Sequence, residues 1–325
     1  MQYTHPKLDD HRSSGIEGVG IMIVDAQIAD HSGDVDSINH VGFAVRDIAE
    51  SAASFERLGF TLSPLSMHTG AAKPGAPAEA LGTGNMCIIF ERNYLELLAY
   101  VDPSLPDLGV EESLERFAGA HYLITGCGSA QVVDRRLQRN GIWSSGVMPL
   151  QREIDTPEGT EIARFERVLF DEGHDSEGEV QAAYHATPTL IHQPRYMGHS
   201  NGAIGILEVV ITSDDPKKRA HEHARYYGVD AHQDGPLWTV PLATGQRISV
   251  CAPQDIESAY GINGLPPTPA ICGIRIETSN LEAAAAIWSD RGVPTTSFGN
   301  ALVIQREHAS GSALIFEQSG RSNAK

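Results

Sequence analysis

Cysteine is scarce in this chain, basic residues are outnumbered, and long apolar runs are missing. The four cysteines, Cys87, Cys127, Cys251 and Cys272, are scattered over 325 residues with no pair at metal-binding or redox spacing. That excludes a disulfide scaffold and a thiolate metal centre, and it reads as buried thiols in a reducing compartment. Lys and Arg number 24 against 42 Asp and Glu, a net charge of −18. Such a field repels a phosphate backbone and an anionic membrane surface alike, so nucleic acid and membrane are excluded as partners. No stretch of about 18 uninterrupted apolar residues occurs, and Met1 opens no basic-then-apolar signal segment. The expectation is a soluble, cytoplasmic protein with a small-molecule partner.

What is present is a fourfold repeat. Ile38–Phe60, Ala120–Ile142, Ile206–Val229 and Ile271–Val293 read INHVGFAVRDIAESAASFERLGF, AHYLITGCGSAQVVDRRLQRNGI, ILEVVITSDDPKKRAHEHARYYGV and ICGIRIETSNLEAAAAIWSDRGV. Each is an apolar strand, a turn rich in Asp, Ser or Thr, an amphipathic helix, and a Gly followed by Phe, Ile or Val. With His40, His121, Glu208 and Gly273 taken as equivalent, the distances to Gly59, Gly141, Gly228 and Gly292 are 19, 20, 20 and 19 residues. So regular a period is a fold-level signal. The length suits two domains of about 150 residues, and four modules make two pairs.

In the first module the helix opens after Asp47 and buries Ile48, Ala52, Phe55 and Leu58 at helical spacing,. Strands are expected near Phe60–Pro64, over NMCIIFER at Asn85–Arg92 and over NYLELLAYV at Asn93–Val101, with a loop from Gly70 to Gly84,. The second module repeats this with a helix over Ser129–Arg139 and strands near Gly146–Gln151, Ala163–Asp171 and Glu179–His185. LWTVPL and QRISVCA are the late strands of the third module, ALVIQRE and SALIFEQ those of the fourth. Residues 1–36, which include the apolar run GIMIVDAQI, lie outside the repeats, and Pro188 to Gly202 is the longest connection without repeat character.

A strand, helix and three-strand module used in pairs, with INHVGFAVRD and FERLGF in the first copy, GTGN at Gly82–Asn85 and NYLELLAYVDP at Asn93–Pro103, resembles the vicinal oxygen chelate superfamily. This is the group of glyoxalase I, extradiol dioxygenases and bleomycin-resistance proteins. HATPTLIHQPRYMGHSNGA at His185–Ala203 is similar to a segment of its glyoxalase-like branch. The resemblance implies an α+β fold of four βαβββ modules paired into two barrel or cup domains. Residues 37–190 form the first (modules 38–103 and 119–187), 191–203 a linker, 204–320 the second (modules 204–254 and 270–318), and 321–325 a tail. It also implies a divalent metal on the floor of a cup, held from first and last strands.

Strand alternation tests whether those ligands can meet. In NHVGFAV, Val41, Phe43 and Val45 share one face and leave His40, Gly42 and Ala44 on the other; in NYLELLA, Leu95 and Leu97 oppose Tyr94, Glu96 and Leu98,. His40 and Glu96 can therefore face one cavity, where imidazole and carboxylate suit iron, manganese, zinc, nickel or cobalt. The second module offers His121 by equivalence, with His185 as fourth ligand and Tyr184 as the weaker choice. Glu96 and Tyr184 are the catalytic candidates. Tyr94, Arg92, Arg164, His199 and Asn201 are candidates to meet an anionic substrate, with Arg167 beside them and His192 and His199 on a segment that could cover the first cup.

The later half presents Glu208, Gly273, Ser249 and Glu317, which is no ligand set, and is expected to be a degenerate copy. His221 and His223 lie two apart on a helix, point apart, and read as a solvated face,. By resemblance the function expected is a metal-dependent lyase or isomerase of a small keto acid, hydroxy acid or lactone, working through chelation and enolate stabilisation. An extradiol dioxygenase with ferrous iron is one alternative, although that group keeps its iron in the later pair of modules. A metal-free binding protein of the bleomycin-resistance kind is another. Paired modules in one chain complete a cup as a monomer, and a homodimer is not needed.

Overall fold

Each repeat copy folds as a strand, a helix and a three-stranded meander. The computed structural model describes residues 34–70, 77, 79–107, 109–171 and 177–320, so the GIMIVDAQI run and the tail at 321–325 lie outside the described residues. The first module comprises β1 (Val35–Ala44), α1 (Ile48–Arg57), β2 (Ser66–Gly70), β3 (Glu79–Ile89) and β4 (Tyr94–Tyr100). Asp47 starts α1 by accepting from the amides of Ala49 and Glu50, and Ala52 and Phe55 form its buried face,. Gly59 ends it at φ 94°, a backbone region that favours glycine,. A linking helix α2 (Val110–Arg116) precedes the second module of β5 (Gly119–Cys127), α3 (Ala130–Arg139), β6 (Met148–Thr156), β7 (Gly159–Leu169) and β8 (Glu179–His185).

Two expected boundaries move. The strand expected at Phe60–Pro64 forms at Ser66–Gly70, and β3 begins at Glu79, inside the stretch read as a loop. Ala, Pro and Gly there carry little apolar alternation, so the pairing of β3 with Tyr100 back to Tyr94 sets its length instead,. Helix α2 was not anticipated, although Val110 and Leu114 bury at helical spacing.

These eight strands close into a barrel in the order β1-β4-β3-β2-β6-β7-β8-β5. The two modules meet at two unequal seams. β1 and β5 pair along most of their length, whereas β2 and β6 share the single pair Thr69 and Gln151. Val110 and Leu114 of α2 pack with Ala44, Leu98, Tyr122 and Ile124 and fill one part of the barrel interior with apolar side chains.

After α4 (Pro188–Ile191) the pattern recurs as β9 (Ala203–Thr212), α5 (Pro216–Tyr227), β10 (His232–Asp234), β11 (Leu237–Pro241) and β12 (Arg247–Cys251). Then follow α6 (Ile256–Tyr260), β13 (Ala270–Thr278), α7 (Leu281–Asp290), β14 (Thr296–Phe298), β15 (Ala301–Ile304) and β16 (Ala313–Gln318). These strands form one eight-stranded sheet with β10 and β14 at its edges, so it stays open. Ile256, Tyr260 and Ile262 pack onto Val210, Val303 and Ile315 and occupy its interior. A Cβ on Gly273 would lie 2.6 Å from Ile262 Cδ1, so this glycine makes room for the plug. Among the described residues no helix is long and apolar enough to cross a membrane.

The two sheets are locked together, and all the described residues belong to one compact unit. Arg57 donates to the carbonyls of Arg291 and Gly292, and Arg291 donates back to those of Glu56 and Arg57, so each guanidinium satisfies the other helix's C-terminal carbonyls,. Trp288 is fully buried and its indole donates to the carbonyl of Leu58 at 2.9 Å. Trp288→Ala is expected to lower unfolding free energy by about 3–5 kcal/mol and Trp288→Phe by about 1 kcal/mol. Urea denaturation checks this, and a loss below about 1 kcal/mol for the alanine variant would show that the junction does not depend on this side chain.

Candidate functional site

The barrel interior holds a cavity of about 160 Å³ between the apolar plug and the open mouth. Every strand aims side chains at it: His40 from β1, His68 from β2, Asn85 from β3, Tyr94 and Glu96 from β4. Tyr122 and Ile124 come from β5, Arg152 from β6, Phe165 and Arg167 from β7, and Glu179, Gln181 and His185 from β8.

A relay of polar groups runs across this space. The Glu96 Oε1 accepts from Asn85 Nδ2 in a short hydrogen bond, and Asn85 Oδ1 accepts from Arg152 Nη1 at 2.7 Å. His40 Nδ1 lies 2.7 Å from Asn39 Oδ1; an amide oxygen can only accept, so the ring proton sits on Nδ1,. Its Nε2 lone pair is thereby turned to the cavity, 3.8 Å from Glu96 Oε2. Tyr94 stacks on the imidazole at 4.2 Å and fixes the ring plane.

Burial sets the protonation states. It pushes His40 well below the usual imidazole range, with the fields of His185 and Arg152 adding to it. Burial likewise lowers His185 to about 3, with His192 and Arg152 contributing. His68 falls to about 3 by burial and the nearby Arg152 and Arg167. Glu96 moves the other way: burial raises its carboxyl, while Arg152 and the Asn85 hydrogen bond partly oppose the rise,.

Of the residues expected from the sequence, His40, Glu96, Tyr94, His185 and Arg167 share this cavity. The others lie elsewhere. β5 pairs with β1 so that Tyr122 opposes Gly42 and Ile124 opposes His40, which turns His121 to the outer face. There His121 Nε2 donates to the carbonyl of Phe117 at 2.9 Å against its ring. Counted from the first residue of each copy, Tyr122 and not His121 stands where His40 does. Tyr184 faces outward by the same alternation, because Phe165 pairs with His185 and Glu166 with Tyr184,. Arg92 and Arg164 are exposed outside the cavity. His199 spans the amide of Thr61 and the carbonyl of Ile89, and Asn201 donates to the carbonyl of Leu58, so both brace the segment between the sheets. His223 is not on a solvated face: it is fully buried, with Glu177 Oε1 at 2.5 Å and the Tyr227 hydroxyl at 2.8 Å.

Strand register identifies what single-residue reading missed. Glu96 pairs with Gly42, two beyond His40, and Gln181 pairs with Ile124, two beyond Tyr122. His40, Glu96, Tyr122 and Gln181 are thus the four related positions of the paired modules. The corresponding later-half set is Glu208, Ser249, Gly273 and Ile315. Glu208 is already saturated there by Ser249, Tyr260, Arg247 and Arg275. Asn85 stood in the GTGN motif; His68 and Arg152 lay on strands without any motif.

Among the described residues no group of three or more His, Cys, Asp and Glu side chains is placed to hold a metal ion. The amide of Gln181 changes the donor set, because its Oε1 is buried without a hydrogen-bond partner. His40 Nε2, Glu96 Oε2 and Gln181 Oε1 are three electron-pair donors lining one cavity, a nitrogen and oxygen set that fits a divalent ion such as zinc or manganese. The positive charge of Arg152 works against that affinity.

The histidines make the fold acid-sensitive. His68 and His185 titrate near 3 in the folded protein against 6.5 ordinarily, so the unfolded chain binds the extra protons first. Their contribution is complete above pH 6.5 and is lost as pH falls toward about 3,. The urea midpoint is expected to fall between about pH 7 and about pH 4.5, and less steeply in His68→Gln/His185→Gln. An unchanged slope in that variant would rule out these imidazoles as the cause.

A family profile described as a glyoxalase-like domain matches residues 38–227. No functionally curated protein matches the sequence significantly. Among solved structures, a hypothetical protein from Staphylococcus aureus aligns with a TM-score of 0.58 and 10% identity, over 87% of this chain and 99% of that one. A mutant of 4-hydroxymandelate synthase from Streptomyces coelicolor aligns at 0.55 and 13% identity, over 90% and 95%. A fusion protein of a xylose isomerase-like TIM barrel and 4-hydroxyphenylpyruvate dioxygenase aligns at 0.54 and 9% identity, over 90% of this chain and 50% of that one. At these identities the likeness speaks to fold alone, but the profile spans more than half of the chain, which therefore belongs to the glyoxalase-like domain family of the vicinal oxygen chelate superfamily.

Proposed function

We propose that this protein is a metal-dependent lyase or isomerase acting on a small oxygenated carboxylic acid inside the closed barrel. The observation that carries the reading is one pair of atoms: a neutral imidazole Nε2 facing a buried carboxylate oxygen at 3.8 Å. Two lone pairs so placed repel unless a cation or proton lies near them. His40, Glu96 and Gln181 would hold the ion, in place of the set with His121 and His185 expected from the sequence. When bound, a divalent ion would supply Lewis-acid stabilisation of oxygens on adjacent carbons.

The chain's own groups supply the rest. Arg152 offers its fork to the substrate carboxylate. Glu96, made more basic by burial, takes the proton from the carbon next to the carbonyl; the C–H electron pair moves toward that oxygen and the enolate forms,. Return of the proton to the former carbonyl carbon, with the proton of the adjacent hydroxyl passing to the enolate oxygen, completes an isomerisation; collapse of the enolate with loss of a leaving group from the carbon beyond the deprotonated one completes an elimination. Tyr94 holds the plane of His40 and borders the same space. The plug of Val110 and Leu114 excludes water from one side,.

The metal-free binding reading is favoured by the buried Arg152 charge and by the lack, among the described residues, of a grouped set of three His or acidic donors. The extradiol reading draws on fold likeness to dioxygenase structures alone, and the packing of the later half's interior by Ile256, Tyr260 and Ile262 weighs against it. Titration calorimetry with zinc and manganese separates the first two. Wild type is expected to bind one ion, His40→Ala and Gln181→Leu to bind at least about tenfold more weakly, and His121→Gln to match wild type. Absence of binding to wild type would favour the sequestering protein, and a defect in His121→Gln equal to that of His40→Ala would overturn the ligand set.

A further inference from the structure

A second cavity, of about 430 Å³, opens at the weak seam of the barrel, within the range of small-molecule sites of about 300–1,000 Å³,. One wall is an apolar strip, Leu65 and Met67 before and on β2, Ile89 of β3, Ile154 of β6, and Leu190 and Ile191 of α4, and Glu153, Asp155 and Gln193 give the cavity a polar edge. Arg152 alone lines both cavities. Its guanidinium sits at the waist between them, bonded to Asn85 on the catalytic side and 3.9 Å from Cys87 Sγ on the other.

This arginine is 9% exposed, and among the described residues no carboxylate lies within ion-pair distance of it. Glu96 is reached only through Asn85. Burial pushes the Cys87 thiol up to about 11, so the sulfur stays protonated and neutralises nothing. A buried cation in this state calls for an anion.

The mouth of the second cavity adds an independent observation. Among the described residues only four large hydrophobics are strongly exposed, and two of them, Leu65 at 44% and Met67 at 41%, line this cavity. A Cβ on Gly84 would lie 2.9 Å from Met67 Sδ and 3.1 Å from Leu65 Cδ1, so the glycine lets both side chains lie across β3. The single β2 to β6 pair leaves little backbone ladder to close this side.

We propose that the substrate is an amphipathic carboxylic acid, with its carboxylate at Arg152 and its apolar chain in the second cavity along Leu65, Met67, Ile154 and Leu190. This rests on the barrel interior being the substrate site, and it deepens that reading by giving the substrate a tail. The carboxylate end of the substrate then faces the His40 and Glu96 side from the waist, and the chain leaves through the seam.

Equilibrium binding of straight-chain carboxylates from butanoate to decanoate, and of the matching 1-alkanols, in the presence of chelator tests this. Affinity for the acids is expected to rise about threefold per methylene before levelling off. The alcohols should bind at least about tenfold more weakly, a difference that Arg152→Met removes. Leu65→Ser/Met67→Ser, at exposed positions that do not endanger folding, should flatten the chain-length slope, and Ile154→Trp should stop it at a shorter chain. A flat slope in wild type, equal affinity for acids and alcohols, or a slope untouched in Leu65→Ser/Met67→Ser would each overturn the proposal. Because chelator is present, failure of the metal titration leaves this result standing, and a flat slope beside normal metal binding overturns the tail site alone.

Discussion

The pairing of β1 with β5 is the interaction on which the rest of the site depends. These strands run antiparallel side by side in the barrel wall, each flanked on its other side by a parallel partner, β4 or β8. Backbone hydrogen bonds fix which residue opposes which, and a strand's two-residue period then decides which face each side chain takes. His40 and Glu96 come inward through that register, and so do Tyr122 and Gln181. A slip of one residue would exchange His40 for Asn39 and Tyr122 for His121, and the chemistry would be lost.

Around this frame the interior is divided by polarity. Apolar side chains from α2 occupy one region, and the other concentrates the arginines Arg152 and Arg167, the carboxylates Glu96 and Glu179, and three histidines held neutral by burial. Keeping the imidazoles uncharged is what allows Arg152 to remain charged nearby, because another positive group in so dry a space would be costly. The same arrangement makes the lone pairs of the histidines and the fork of the arginine available to a ligand. Acid sensitivity and ligand readiness thus have one cause.

The later half shows what the module becomes without a cavity. Glu208 stands where His40 does, yet Arg247, Arg275, Ser249 and Tyr260 satisfy both of its oxygens, and Arg275 also reaches Glu317. Ile262 fills the space that Gly273 leaves. A closed polar network and an apolar plug make this half a rigid partner. Trp288 and the reciprocal Arg57 and Arg291 contacts carry that rigidity to α1, beside the first module's central strand.

The sequence by itself determined the repeat, the order of strand and helix, the pairing of modules, and the convergence of His40 with Glu96. Each follows from local periodicity, which short-range sterics and apolar alternation impose. The tertiary structure alone decided the second module's contribution. His121 and Tyr122 are neighbours in a strand whose residues are all buried, so hydrophobicity could not say which faced inward; pairing with β1 did. Tyr184 and His185 were separated in the same way by β7. Gln181 and Arg152 belong to no motif, and their importance lies in what each lacks among the described residues: a donor for a buried oxygen and a counterion for a buried charge. Such an absence is a property of neighbours brought together from distant parts of the chain, and it exists only once the barrel has closed.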